Sequence, residues 1–199
     1  MKRIIFSIWS NLTQHHDSVP DWKKSSLHKF KDTLVKKQKE YAEYCGAQYF
    51  LFETKFTDYV NVQFDKIFKF EKLTEEYDEV VYFGLDIIPV TKKNIFDSFD
   101  FNYPCVYEYD VNQNANDTLQ KNWLSQHFHE NKIISPMNRY SKVAAKKAML
   151  LLEDISGNDN ICNTAVLCGN KNAANLLQFS KRIDDIDKIL LRAKNDTIY

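Results

Sequence analysis

The stretch Val80–Asp86, with the sequence VVYFGLD, decides the fold assignment. Its four leading apolar residues follow charged residues and end at Gly84, which indicates a short strand buried on both faces of a sheet. A carboxylate is costly in an apolar core, so we expect Asp86 to emerge at the carboxyl end of this strand. Ligands of open α/β sheets bind at that edge. The alternative is a strand-end carboxylate that bonds to the turn after it.

Strands and amphipathic helices alternate on the amino side of this stretch. Ile4–Trp9 and Gln48–Phe52 predict strands. Helices are predicted over Asp21–Tyr44, with Gly46 at its end, and from about 59 to 76. Such alternation specifies right-handed crossovers. The sequence therefore predicts an α/β fold with a mainly parallel, Rossmann-like sheet flanked by helices.

The second half predicts strands over Cys105–Tyr109 and Ile161–Cys168 and a helix over 141–155. The closing helix is predicted to bury Leu176, Phe179, Ile183, Ile186 and Leu190. The first helix is predicted to bury Leu27, Phe30, Leu34, Tyr41 and Cys45. Because no repeat or linker interrupts the pattern, residues 1–199 are predicted to form a single domain.

Composition and charge exclude several classes of protein. The 27 basic and 27 acidic residues give a formal net charge of zero, so no overall field attracts nucleic acid. The apolar run after Met1–Arg3 is too short for a signal peptide, and no segment approaches the ~20 apolar residues that span a bilayer. The four scattered cysteines lack zinc spacing and predict buried, reduced thiols. A soluble, cytoplasmic protein without a membrane span is expected.

Three segments resemble glycosyltransferases with the A-type (GT-A) fold. Tyr77–Val90 looks like their metal-binding segment, an apolar strand ending in Asp-x-Asp before an apolar pair. Lys39–Tyr49 is similar to their helix with a Tyr-Ala pair before a Gly, and Asn163–Leu167 to their Asn-Thr/Ser-Gly strand. The resemblance implies a GT-A-type nucleotide-diphospho-sugar transferase fold over most of the chain. Related enzymes usually continue past the final helix, so a minimal domain and one truncated at the carboxyl end are alternatives.

The resemblance also implies a set of site residues. Asp86 matches the second Asp of the motif and is the implied metal ligand, whereas Gly84 stands where the first Asp should be. Lys66, or else Lys69, falls where relatives hold a basic residue against the donor phosphate. The other implied donor-binding residues are Ser7, Trp9, Ser10, Leu85, Asn163 and Thr164.

Each of these side chains has a plainer interpretation. The lysines fit solvated helix positions, Trp9 can simply pack, and Asn163 can be satisfied within its strand. No catalytic residue is assigned, because no carboxylate identifies itself as a general base. The histidines at 15, 16, 127 and 129 are interpreted as ordinary surface residues.

The implied function is transfer of a sugar from a nucleotide diphosphate sugar, a UDP-sugar by preference, to an unidentified hydroxyl acceptor, with Mn²⁺ or Mg²⁺ as cofactor. The alternative, which Gly84 favours, is a catalytically inactive GT-A-fold module for nucleotide or sugar binding or for assembly. A haloacid-dehalogenase-like phosphatase is excluded, because Ile88 stands where its second Asp is required. The four glycines lie too far apart for a phosphate-binding loop.

Overall fold

A computed structural model of the protein describes residues 1–9, 21–53, 64–109, 161–185 and 188. The chain divides into two compact units, Met1–Val106 with Thr164–Tyr199 and Tyr107–Asn163. Ser10, the helix predicted over 141–155 and the histidines at 15, 16, 127 and 129 lie outside the described residues.

The secondary structure follows the predicted order. The strands are β1 (Arg3–Ile8), β2 (Gln48–Phe52), β3 (Glu79–Phe83), β4 (Cys105–Tyr109) and β5 (Ile161–Gly169). The helices are α1 (Asp21–Tyr44), α2 (Phe64–Leu73), a 3-10 helix (Ile95–Asp97) and α3 (Lys171–Leu177), followed by a helix over 179–185. The predictions for α1, β2 and β4 are confirmed to the residue. Gly46 adopts φ of 68° directly after α1, as a helix-ending glycine does.

The five strands form one sheet in the order β2-β1-β3-β5-β4. β1 pairs in parallel with β2 and with β3, where Ile4 lies opposite Val80. β5 is antiparallel to β3, with Phe83 opposite Val166. The sheet is therefore mixed, and the prediction of a mainly parallel sheet is wrong. Helical crossovers fix the direction only of the strands they join, and β5 instead follows a connection of about 50 residues.

Helices cover both faces of the central strands, because successive strand residues point to opposite sides. Ile5 and Val81 pack in a cluster with Tyr41 and other residues of α1. Ile4 and Val80 pack in a second cluster with Phe70 of α2. Since both faces of β1 and β3 are apolar and covered, polar side chains that serve a ligand are expected at the strand ends.

Two residues predicted to be buried are exposed instead. Phe30 is 49% exposed and Leu176 is 60% exposed. The closing helix is also not continuous, because Gln178 adopts a left-handed φ of 47° that ends α3. Phe179 and Ile183 are buried beyond this break. Because of this break, the buried residues Phe179 and Ile183 do not continue the helix face on which Leu176 lies, and Leu176 is left exposed.

Glu71 of α2 caps the helix that follows this break. One carboxylate oxygen accepts from the Phe179 backbone N–H at 2.5 Å, and the other accepts from the Ser180 N–H at 2.9 Å. The first N–H groups of a helix lack partners within the helix, and a carboxylate there is favoured by charge as well. Glu71 thus ties the closing segment to the first half of the chain.

Glu71→Ala is expected to lower the free energy of unfolding by about 1–2 kcal/mol, because it removes two charge-assisted hydrogen bonds. Urea denaturation measures the change. Glu75→Ala is the matched control, since Glu75 pairs with Lys171 at 3.4 Å on the exposed surface. That pair is expected to contribute less than about 0.5 kcal/mol. An equal loss in both variants would show that the cap contributes nothing specific.

Two further sequence predictions concern burial and the membrane. Cys45 and Cys168 are buried as predicted, whereas Cys105 is half-buried and Cys162 is exposed, so burial was predicted wrongly for Cys162. Within the described ranges, no helix combines the length and apolar character needed to cross a membrane.

Candidate functional site

The candidate site lies at the carboxyl ends of β1 and β3, which are neighbours in the sheet. The connection after β1 leads to β2 on one side, while the chain after β3 leads to strands on the other side. Open α/β sheets usually bind ligands at the point where the connections diverge in this way. Ser7 lies near the end of β1 and Trp9 directly after it, while Gly84–Asp86 directly follow β3.

A tight turn carries Asp86 at the end of β3. The Gly84 N–H donates to the Ala165 carbonyl of β5 at 2.6 Å, and the Ile87 N–H donates back to the Gly84 carbonyl at 2.9 Å. Within the turn Leu85 is buried and Asp86 is exposed. The turn therefore presents one carboxylate to solvent.

The Asp86 carboxylate lies close to Gly84. A Cβ atom built on Gly84 would lie 3.0 Å from Asp86 Oδ1 and 3.5 Å from the Ala165 carbonyl oxygen. The space that a side chain at position 84 would occupy is thus partly taken by Asp86 itself. A second carboxylate at position 84 would crowd the first and repel it.

Lys66 of α2 is buried, with only 8% of its surface exposed. Its Nζ lies 5.5 Å from the centroid of the Tyr82 ring. Burial lowers the pKa of Lys66 from 10.5 to about 8, and the Asp86 carboxylate opposes this shift. Burial and the same carboxylate raise the pKa of Tyr82. Lys66, Tyr82 and Asp86 therefore form one electrostatic group.

A buried glutamine of α1 holds the turn in place. Gln38 has no exposed surface, and its Nε2 donates to the Gly84 carbonyl at 2.9 Å and to the Ile87 carbonyl at 2.8 Å. Its Oε1 lies 2.6 Å from Ser7 Oγ and accepts from the Tyr49 hydroxyl at 2.9 Å. The two ends of one amide thus link β1 and β2 to the turn that carries Asp86.

Sequence reasoning missed Gln38, although a signal for it exists. Gln38 falls on the apolar stripe of α1, four residues after Leu34 and three before Tyr41, both of which are buried. A polar side chain at such a position is costly unless it is hydrogen-bonded, so its presence indicates a buried network.

Ser7 and Trp9 make contacts within the protein. Ser7 is fully buried, and its Oγ lies 2.8 Å from the Phe83 carbonyl as well as close to Gln38. Trp9 is half-buried against α1, with the His28 ring edge-on at a centroid distance of 4.8 Å and the Lys31 ammonium 5.0 Å from its ring. Ser7 therefore belongs to the buried network of Gln38, and the Trp9 ring packs against residues of α1.

The remaining predicted residues among those described lie in α2 and β5. Lys69 Nζ lies 4.2 Å from the centroid of the Phe52 ring, at the carboxyl end of β2. Thr164 is half-buried and directly precedes Ala165, which bonds to Gly84. Asn163 is half-buried as well and belongs to the other compact unit. The structure thus places Lys66 within electrostatic range of Asp86, Lys69 on the same helix as Lys66, and Thr164 on the strand that pairs with β3.

Among the described residues, no group of three or more His, Cys, Asp or Glu side chains could hold a metal ion. Comparison with models of protein families, with curated proteins and with solved structures found no match.

Proposed function

We propose that this protein binds a nucleotide diphosphate sugar at the carboxyl ends of β1 and β3 and transfers the sugar to a hydroxyl acceptor. The observation that supports the proposal is the buried Lys66, whose ammonium interacts electrostatically with the exposed Asp86 carboxylate at the end of β3. A diphosphate requires a cationic partner, and sugar or ribose hydroxyls require hydrogen-bond acceptors. Lys66 supplies the cation, and Asp86 supplies the hydrogen-bond acceptor.

In this reaction, the bond between the anomeric carbon and the diphosphate oxygen breaks as a bond to the acceptor oxygen forms. Negative charge develops on the leaving diphosphate, and a diphosphate oxygen takes up the proton of the acceptor hydroxyl. Lys66 would stabilise that charge in a weakly screened environment, and Asp86 would orient the donor through its hydroxyls. A Mn²⁺ or Mg²⁺ cofactor and the UDP moiety stay predictions from the GT-A resemblance.

A second candidate function is a GT-A-like module that binds a nucleotide sugar without catalysis. Gly84 favours it, because it provides no second carboxylate beside Asp86. Both candidates require donor binding, and they differ only in whether the sugar is released from the nucleotide.

UDP-glucose is expected to raise the melting temperature by about 5–10 °C at concentrations near 100 times its Kd, because it binds only the folded state. Asp86→Ala is expected to weaken this stabilisation through loss of hydrogen bonds to the donor. Asp97→Ala is the control, since its exposed carboxylate pairs with Arg3 at 3.5 Å away from the turn. Thermal denaturation with UDP and UDP-glucose, with and without Mn²⁺, measures the effect. No shift under any of these conditions would contradict the proposal.

Release of UDP from UDP-sugars, followed in a coupled assay, separates the two candidates. Release that Asp86→Ala reduces and Asp97→Ala does not reduce supports the transferase. Donor binding without release supports the non-catalytic module.

A further inference from the structure

The divalent cation implied by the GT-A resemblance does not fit the residues at the end of β3. Asp86 is a single exposed carboxylate, and position 84, where the resemblance implies a second, holds a glycine. The ammonium of Lys66 already interacts with this carboxylate. Because Lys66 is 8% exposed, water screens its charge poorly, so a second cation beside Asp86 would be repelled.

Lysine ammonium groups line the carboxyl ends of the parallel strands. Lys66 lies over the ring of Tyr82 in β3, 5.5 Å from its centroid, and Lys69 lies over the ring of Phe52 in β2 at 4.2 Å. The two lysines are three residues apart on α2, a spacing that places both on one side of the helix. Their positive charges are therefore held by aromatic rings at the edge where the donor is proposed to bind.

We infer that Lys66 and Lys69 together supply the positive charge that binds the donor diphosphate, so that donor binding does not depend on a divalent cation. This inference rests on the proposed function, because it names the groups that recognise the diphosphate in that site. Ammonium groups bind phosphate oxygens as point charges and need no bridging metal. Asp86 then acts as an acceptor for donor hydroxyls and not as a metal ligand.

Calorimetric titration of the full chain with UDP tests the inference. The Kd measured in EDTA is expected to lie within about threefold of the Kd measured with Mn²⁺. Lys66→Met and Lys69→Met are each expected to raise the Kd in EDTA by about 10–100-fold, as loss of a charged hydrogen bond does. Lys72→Met is the control on the same helix, because Lys72 lies in its last turn, 6.0 Å from the ring of Phe68. Circular dichroism confirms that each variant is folded.

The outcomes separate the inference from the proposed function. Binding only in the presence of Mn²⁺ overturns the inference and leaves the proposed function standing. Binding in EDTA that neither lysine substitution weakens overturns the role of Lys66 and Lys69. Binding of UDP in neither condition contradicts the proposed function itself.

Discussion

Lys66→Met is expected to make the folded protein more stable at pH 7, by about 3 kcal/mol. Burial lowers the pKa of Lys66 from 10.5 to about 8, and each unit of such a shift corresponds to about 1.4 kcal/mol of free energy. Methionine fills a similar volume without a charge that must be removed from water. A buried charge that lowers the stability of the folded protein is typical of residues in functional sites.

The same pKa shift predicts how the free energy of unfolding changes with pH. Below about pH 8 both the folded and the unfolded chain carry the Lys66 proton, and the cost of burying the charge is complete. Between about pH 8 and 10.5 only the unfolded chain retains the proton, so the contribution of Lys66 makes stability rise with pH. The stability advantage of Lys66→Met is therefore expected to shrink over this window.

Thermal denaturation of both proteins from pH 6 to 10 measures that advantage. Burial raises the pKa of the Cys168 thiol, which acts in the opposite direction, but this effect is common to both proteins and cancels in their difference. Lys69→Met is the matched control for the stability change, because Lys69 is only half-buried. A Lys66→Met protein that is less stable than the wild type at pH 7 would contradict the prediction.

Gln38→Met is expected to lower the free energy of unfolding by about 2–4 kcal/mol. The substitution preserves the volume of the side chain but leaves the Gly84 and Ile87 carbonyls without the amide that donates to them. It also removes the acceptor of the Tyr49 hydroxyl. Buried polar groups that lose their partners account for the size of the effect.

Urea denaturation measures the loss, and Gln48→Met is the control. Gln48 is an exposed residue of β2 that accepts one hydrogen bond from the Tyr77 hydroxyl, so its replacement is expected to cost less than about 1 kcal/mol. Hydrogen exchange gives a local readout, because the Ile87 N–H closes the turn. Its exchange is expected to accelerate at least about tenfold in Gln38→Met. Unchanged exchange at Ile87 would show that Gln38 does not hold the turn.

The sequence predicted the elements well where the periodicity was strong and local. The bounds of α1 were predicted to the residue, because its amphipathic pattern is long and Gly46 ends it. The direction of β5 was not predictable, because strand direction depends on a partner far away in sequence. The break at Gln178 was missed as well, since glutamine carries no ordinary signal for a left-handed backbone.

The candidate site was predictable only in part. Placing Asp86 at a strand end followed from its position after four apolar residues, and the structure places it there, exposed. The burial of Lys66 could not be predicted from the sequence, because a lysine in a helix normally extends into solvent. How far its side chain is buried depends on tertiary packing. Gln38 was missed for a related reason, since its partners come from β1, β2 and the turn after β3 and appear only when these segments meet.

The strand order also has a consequence for synthesis on the ribosome. Strand β3, with its apolar core VVYF, has β1 on one side but gains its second neighbour only when β5 arrives. The last residue of β5 follows the last residue of β3 by 169 − 83 = 86 positions, which takes about 4–17 s at common translation rates. During that interval the nascent chain exposes an apolar strand edge that can pair with other chains. We expect a chaperone to keep the unpaired edge of β3 from pairing with other chains until Gly169 has emerged.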